Sequence, residues 1–316
     1  MRAVRIEAFG GPEVVRLREV PEPVPGPGQA VVEVDRCGVN YADTLLHENA
    51  YLAAAALPLS PGNEIVGRTA DGRRVAALIE HGGYAERALI TEGAAFPVPE
   101  GIADVAALAL LAQGLTAWWL VERVARVRSG DSVVVHAAAG GVGSLAVQLA
   151  KRRGAHVIAT AGAEAKRDLA LSLGADAVVD HAADDLTAAL REANGGKAVD
   201  VVLEMIGGRV TDQSLAALAP FGRLAFYGMA GRQEPRPVAP RDLERGSITL
   251  SGFWLVHALA DRAAVTDAYA RLAGMVAAGE LRVVAGGDYP LSEVGSAHKA
   301  IRTRTTTGKV TLDPRR

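Results

Sequence analysis

A chain of 316 residues, 49% of them apolar and 35 of them glycine, is too long for one ordinary core and fits two globular α/β domains. Its 34 basic and 36 acidic residues leave a formal net charge of -2, and no basic run is interleaved with aromatics, which excludes an electrostatic nucleic-acid binder. The single cysteine, Cys37, excludes an intramolecular disulfide and a cysteine-rich zinc site, and it fits a reducing cytoplasm.

Residues 1–6 carry no long apolar run, so no signal peptide is expected. Residues 2–8, 14–20 and 30–39 alternate partially between apolar and polar, with Gly-Pro turns between them, which predicts short strands. The Pro-rich run 21–28 lies between two of these strands and reads as a stiff extended arm. Further strands are predicted over 64–69, 74–79 and 84–90, making this half an irregular, mostly antiparallel barrel. The longest apolar-rich stretch, 106–121, is interrupted by Gln113, Gly114 and Thr116 and reads as too short and too polar to cross a bilayer.

From Ala112 the pattern becomes strand, helix, strand, which predicts a doubly wound parallel sheet. Strands are expected over 132–136, 156–161, 177–179, 199–206, 223–227 and 248–255. Helices are expected over 142–153, 165–173, 185–193 and 211–218, with Gly154 and Gly174 as stops. A helix over 261–278, short β-elements, a small helix over 294–302 and a final strand over 308–312 follow. This tail is expected to complete the first domain, so that residues 1–111 and 258–316 form one domain and 112–257 are inserted into it.

Within the insertion, Val133-Val134-Val135 leads into Ala139-Gly140-Gly141-Val142-Gly143 and then a helix. Glycines there let a diphosphate approach the backbone, and the helix start supplies free N–H groups and a favourable dipole. The strand that follows ends Thr160-Ala161-Gly162 with no carboxylate at its tip, and Lys166 and Arg167 come next. A cation there suits a ribose 2′-phosphate and a carboxylate would repel it, so NADPH is favoured over NADH. Arg167 is equally readable as a solvated helix residue. The histidines at 47, 81, 136, 156, 181, 257 and 298 have no metal-ligand spacing.

Six motifs occur in the order seen in the medium-chain dehydrogenases/reductases: Cys37-Gly38-Val39-Asn40-Tyr41-Ala42-Asp43, Pro61-Gly62-Asn63-Glu64, Gly82-Gly83-Tyr84-Ala85-Glu86, Gly114-Leu115-Thr116-Ala117, the Gly140–Gly143 turn and Gly308-Lys309-Val310. The chain resembles that superfamily over nearly its whole length. The resemblance implies an α/β protein with a GroES-like β-barrel catalytic domain, an inserted Rossmann domain and a site in the cleft between them. Asn40 stands where zinc alcohol dehydrogenases have a catalytic Cys, and Asn63 stands where they have a His. Amides are poor zinc ligands, so the implied branch is the zinc-independent one, similar to quinone oxidoreductases and enoyl reductases.

That branch implies Asn40 and Tyr51 as the catalytic residues. Asn40 would bond the nicotinamide ribose or the substrate. Tyr51 would either donate a hydrogen bond or proton to a substrate enolate, or shape the pocket while solvent supplies the proton. The implied cofactor contacts are Gln113 and Thr116 near the nicotinamide, Gly140, Gly141 and Val142 at the diphosphate, and Gly162 and Lys166 at the 2′-phosphate. Gly207, Gly228, Phe253, Trp254 and Leu255 follow along the nicotinamide side, and Arg304 at the adenosine phosphate. His181 replaces the Tyr often found beside the adenine. Residues 247–252 resemble an edge strand through which such subunits pair, implying a homodimer. The implied activity is NADPH-dependent hydride transfer to a quinone or an α,β-unsaturated carbonyl. Enoyl-thioester reduction and non-catalytic, crystallin-like NADPH binding are the alternatives.

Overall fold

The first strands are buried in part on both faces. In the computed structural model, which describes residues 1–316, β1 (Arg2–Ile6) turns Ala3, Val4 and Ile6 inward and pairs antiparallel with β2 (Val15–Glu19). β3 (Gln29–Val39) pairs antiparallel with β4 (Glu64–Thr69), β4 with β5 (Arg74–Leu78), β3 again with β6 (Arg87–Thr91), and β5 with the short β7 (Phe96–Pro97). The Pro-rich run between β2 and β3 has no regular structure and is largely exposed.

The apolar stretch after β7 is longer than the sequence suggested. It forms one helical run, Asp104–Val124, of 21 residues, which by length and composition alone would be able to cross a membrane. Its apolar window is 67% buried inside the protein. Gln113 and Gly114 do not interrupt it because the run passes through a π-type turn, Leu110–Gly114, with Leu111 off helical geometry at ψ -108. A second π-type turn, Leu120–Val124, ends it.

Six strands then make one parallel sheet: β8 (Ser132–Val135), β9 (His156–Thr160), β10 (Ala177–Val179), β11 (Val199–Glu204), β12 (Leu218–Phe226) and β13 (Thr249–Gly252). Their spatial order is β10-β9-β8-β11-β12-β13, with every neighbouring pair parallel. Helices cover both faces of a doubly wound sheet, so its central strands read as continuous apolar runs. All four residues of β8 are buried. A core of Val134, Ile158, Leu186, Val202 and Leu224 sits beneath them.

After the helix Arg262–Ala277, β14 (Ala285–Pro290) and β15 (Lys309–Asp313) return to the first sheet. β15 lies between β14, to which it is parallel, and β3, to which it is antiparallel. The chain therefore divides into a first unit, Met1–Ala112 with Thr266–Arg316, and a second, Gln113–Val265, whose limit falls inside the helix Arg262–Ala277. The core of the first unit joins residues from both ends of the chain, among them Ile6, Val32, Ile65, Val294 and Leu312.

Candidate functional site

In the second unit the residues picked out by sequence gather at one edge. Each parallel strand is followed by a loop at its carboxyl end, and these loops carry Gly140–Val142, Gly162, His181, Gly207, Gly228 and Phe253–Leu255 in turn. That edge is where open parallel sheets bind ligands. The helix Gly141–Arg152 starts on the glycine turn, with Gly140 as its N-cap residue in extended geometry and no side chain capping it. Its first N–H groups and dipole face outward from the turn toward negative charge.

The turn is closed so tightly that only glycine fits. A Cβ on Gly143 would lie 2.3 Å from the backbone oxygen of Ala137, and one on Gly141 would lie 2.1 Å from the carboxamide carbon of Gln113. Gln113 is thereby placed directly against the turn, buried, on the π-type segment of the helical run. Thr116 follows on the same run, half-buried.

Gly162 and His181 are neighbours, since a Cβ on Gly162 would lie 2.8 Å from His181 Cε1. Lys166 lies in the first turn of the helix Glu164–Ser172, half-buried. Arg167 is committed to structure: its guanidinium donates to the carbonyls of Ala161 (3.1 Å) and Gly162 (3.0 Å) and pairs with Asp180 at 3.4 Å.

Two residues that sequence reasoning missed hold these loops. Glu204, at the end of β11, is fully buried and accepts from the N–H of Ile206 (2.7 Å), the N–H of Gly207 (3.2 Å) and Thr211 Oγ1 (2.9 Å). Burial raises its pKa against those bonds, which lower it. His136, just past β8, is buried between Thr160 Oγ1 and Ser214 Oγ, each 2.8 Å from a ring nitrogen, and burial lowers its pKa to about 3. It is a neutral strut tying β8 to β9 and to the helix Gly208–Ala217. No local sequence signal separates such a strut from an ordinary core histidine.

In the first unit Asn40 follows β3. Its N–H donates to Asp43 Oδ2 (2.8 Å), its Nδ2 donates to Asn63 Oδ1 (3.2 Å), and its Oδ1 accepts from Lys309 Nζ (3.3 Å). Asp43 is buried and also accepts from Tyr84 Oη at 2.9 Å. Burial raises its pKa from 3.8 to about 6, with the Asn40 and Tyr84 bonds and the charge of Lys309 pulling the other way. Tyr51 lies half-buried in the loop after the helix Asp43–Leu46. That loop begins at an ion pair between Glu48 and Arg302, and its far side is tied by the Ala55 N–H to Asn49 Oδ1 (3.1 Å). Arg304 also belongs to this unit, in left-handed geometry after the helix Val294–Arg302.

An all-parallel sheet of this strand order, inserted into a β-rich unit built from both chain ends, is the architecture of a medium-chain dehydrogenase/reductase. The family model described as zinc-binding dehydrogenase matches residues 141–273. The quinone oxidoreductase of Rattus norvegicus is 32% identical, covering 95% of this chain and 94% of that protein. The 2-haloacrylate reductase of a Burkholderia species is 32% identical, covering 99% and 98%. Among solved structures, the quinone oxidoreductase of Thermus thermophilus, a protein also solved in complex with NADPH, superposes with a TM-score of 0.89 at 38% identity, covering 99% of this chain and 100% of that one. The chain belongs to the quinone oxidoreductase family.

The word zinc in the matched description does not extend to the residues present here. The carboxylate of Glu64 is buried in an ion pair with Lys309, and the amides of Asn40 and Asn63 are bonded to each other. No group of three or more His, Cys, Asp or Glu side chains is assembled anywhere in the chain. An ammonium in contact with the one carboxylate would repel a divalent ion, and neutral amides do not replace thiolate and imidazole. This donor set does not fit zinc.

Proposed function

We propose that this protein is an NADPH-dependent reductase that delivers hydride to a quinone or to the β-carbon of an α,β-unsaturated carbonyl, without zinc. The carrying observation is the glycine turn on a capless helix start at the carboxyl edge of the parallel sheet, followed by a strand tip with a lysine and no carboxylate. The relatives support it, one by acting on quinones and another by reducing a haloacrylate, an activated alkene. The second unit is read as the cofactor domain and the first as the catalytic domain.

The cofactor supplies the hydride. Gly140, Gly141 and Val142 would hold its diphosphate, Lys166, Gly162 and Arg304 its extra phosphate, and His181 its adenine. Gln113, Thr116, Gly207, Gly228, Phe253, Trp254 and Leu255 would hold the nicotinamide end. Asn40 offers an N–H to an oxygen of substrate or ribose, and Tyr51 offers a hydroxyl to a developing enolate oxygen. Pairing of two subunits through residues 247–252 is supported by β13, which forms an outer edge of the parallel sheet and bonds only β12. A cytosolic location fits a chain whose one cysteine, Cys37, is buried and takes no part in a disulfide.

The test is loss of nicotinamide absorbance with a panel of benzoquinones, enones and haloacrylates, with NADPH and NADH in parallel. NADPH is expected to be preferred. Lys166→Ala should weaken NADPH use by roughly 10- to 100-fold, the worth of one charge-assisted contact, and leave NADH use unchanged. Oxidation of neither coenzyme by any acceptor would sink the proposal.

A further inference from the structure

The function proposed above gives no part to Lys309, yet this residue touches the side chain that it most needs. Lys309 opens β15 and is 1% exposed. Lysine is almost never buried to this degree unless paired. Its ammonium forms an ion pair with Glu64, itself 0% exposed, and donates to Asn40 Oδ1. Desolvation pulls its pKa down to about 7 against the charge of Asp43, and the contact with the Glu64 carboxylate is the geometry of an ammonium. The other oxygen of Glu64 accepts from the Ala112 N–H at 3.2 Å, so the anion is anchored as well.

An ammonium can only donate. Whichever amide atom of Asn40 faces Lys309 must therefore be the oxygen, and the opposite end must be the NH2 group. One hydrogen of that NH2 goes to Asn63 Oδ1, which fixes the Asn63 amide as well, its oxygen turned to Asn40. A single buried charge thus sets the orientation of two amides in series. Each carbonyl in such a chain is engaged by a donor, and that engagement strengthens the N–H on the same amide by roughly 10–30% per bond.

We propose that Lys309 is a positioning residue: an internal cation, balanced by Glu64, that locks and polarises Asn40 and Asn63 as N–H donors toward an oxygen of the bound substrate or ribose. This rests on the reading of Asn40 as a site residue. Without the ammonium, the Asn40 amide can rotate by half a turn and present its oxygen to the ligand's oxygen, replacing attraction with repulsion.

The chain has only four asparagines, at 40, 49, 63 and 194, so selective 15N-asparagine labelling of the full protein yields four side-chain NH2 signals, assigned with Asn40→Asp and Asn63→Asp. The variant Lys309→Met/Glu64→Gln removes both charges together and leaves neither orphaned. In it, the Asn40 and Asn63 signals are expected to move while those of Asn49 and Asn194 stay. Its kcat/KM should fall about tenfold or more, and adding Asn40→Ala should cost less than it does in the wild type. Lys309→Arg, which keeps a cation, should restore most of the loss. In the unsubstituted chain, slower solvent exchange is expected for the Asn40 NH2 than for the exposed Asn49. Unmoved Asn40 and Asn63 signals, fully additive losses, or Asn40 exchange as fast as that of Asn49 would each overturn the proposal. If the wild type reduces no acceptor, the proposed activity fails while the NMR outcome still decides the role of Lys309.

Discussion

Replacing Tyr84 with Phe isolates the energetics of the buried Asp43. In the wild type Tyr84 Oη donates to Asp43 Oδ2 at 2.9 Å, both groups are buried, and Asp43 titrates near 6 instead of 3.8. That raised value means the folded state binds the proton more tightly than the unfolded state. The stability this group contributes is present at low pH and is lost as pH rises through about 6. The shift corresponds to a cost of roughly 3 kcal/mol at pH 8. Tyr84→Phe removes a bond to the ionised form and raises the pKa further. At pH 8 the variant should lose about 1.5–3 kcal/mol, the worth of a hydrogen bond to a charged group. At pH 5, where Asp43 is largely protonated in both proteins, only a neutral bond worth about 1 kcal/mol is lost. At roughly 2–4 °C per kcal/mol, the melting transition of the first unit should fall by about 3–12 °C at pH 8 and by only about 2–4 °C at pH 5. Differential scanning calorimetry of both proteins at both pH values measures this. Equal drops at the two pH values, or no drop at pH 8, would refute the linkage between Tyr84 and the charge on Asp43.

Two further outcomes follow from the second unit and from the buried histidines. Gly143→Ala presses a methyl on backbone at 2.3 Å and should destabilise by about 1–3 kcal/mol and abolish NADPH binding, read by cofactor fluorescence titration. Gly141→Ala meets the side chain of Gln113, which can swing aside, so the loss of affinity should be smaller; the reverse ranking would contradict the packing described. Acid should destabilise the protein as pH falls below 6.5, because His136 and His298 are held neutral down to about 3 in the fold and protonate freely when unfolded. His136→Gln should flatten that acid limb in urea titrations, and an unchanged slope would remove His136 as its source.

Much of the second unit was legible because its signals are local. Parallel strands buried on both faces leave plain apolar runs such as Ser132–Val135, and the Gly140–Gly143 turn sits between one such strand and an amphipathic helix. Where tertiary packing overrides local chemistry, reading failed. Gln113 and Gly114 look like a break in 106–121, yet burial carries the helix through them as a π-type turn. The short β-elements expected after residue 278 resolve to β14, but its bounds were not legible, because Gly286, Gly287, Asp288 and Pro290 have almost no strand character and pairing with β15 makes the strand. In the first unit Asn40 was named through the family resemblance, whereas the bonds that Asp43, Glu64, Tyr84 and Lys309 make around it had no local signal, since they join partners up to 269 residues apart in the chain.

β15 is an inner strand of its sheet, between the edge strand β14 and β3. A ribosome making this chain therefore exposes β3 long before the neighbour that must lie against it exists, whereas every strand of the parallel sheet has already emerged. Synthesis imposes an order in which the inserted unit can mature first and the unit around it stays open until β15 has been made. Glu64 waits just as long for its counter-charge, so the surroundings of Asn40 close only once Lys309 has emerged.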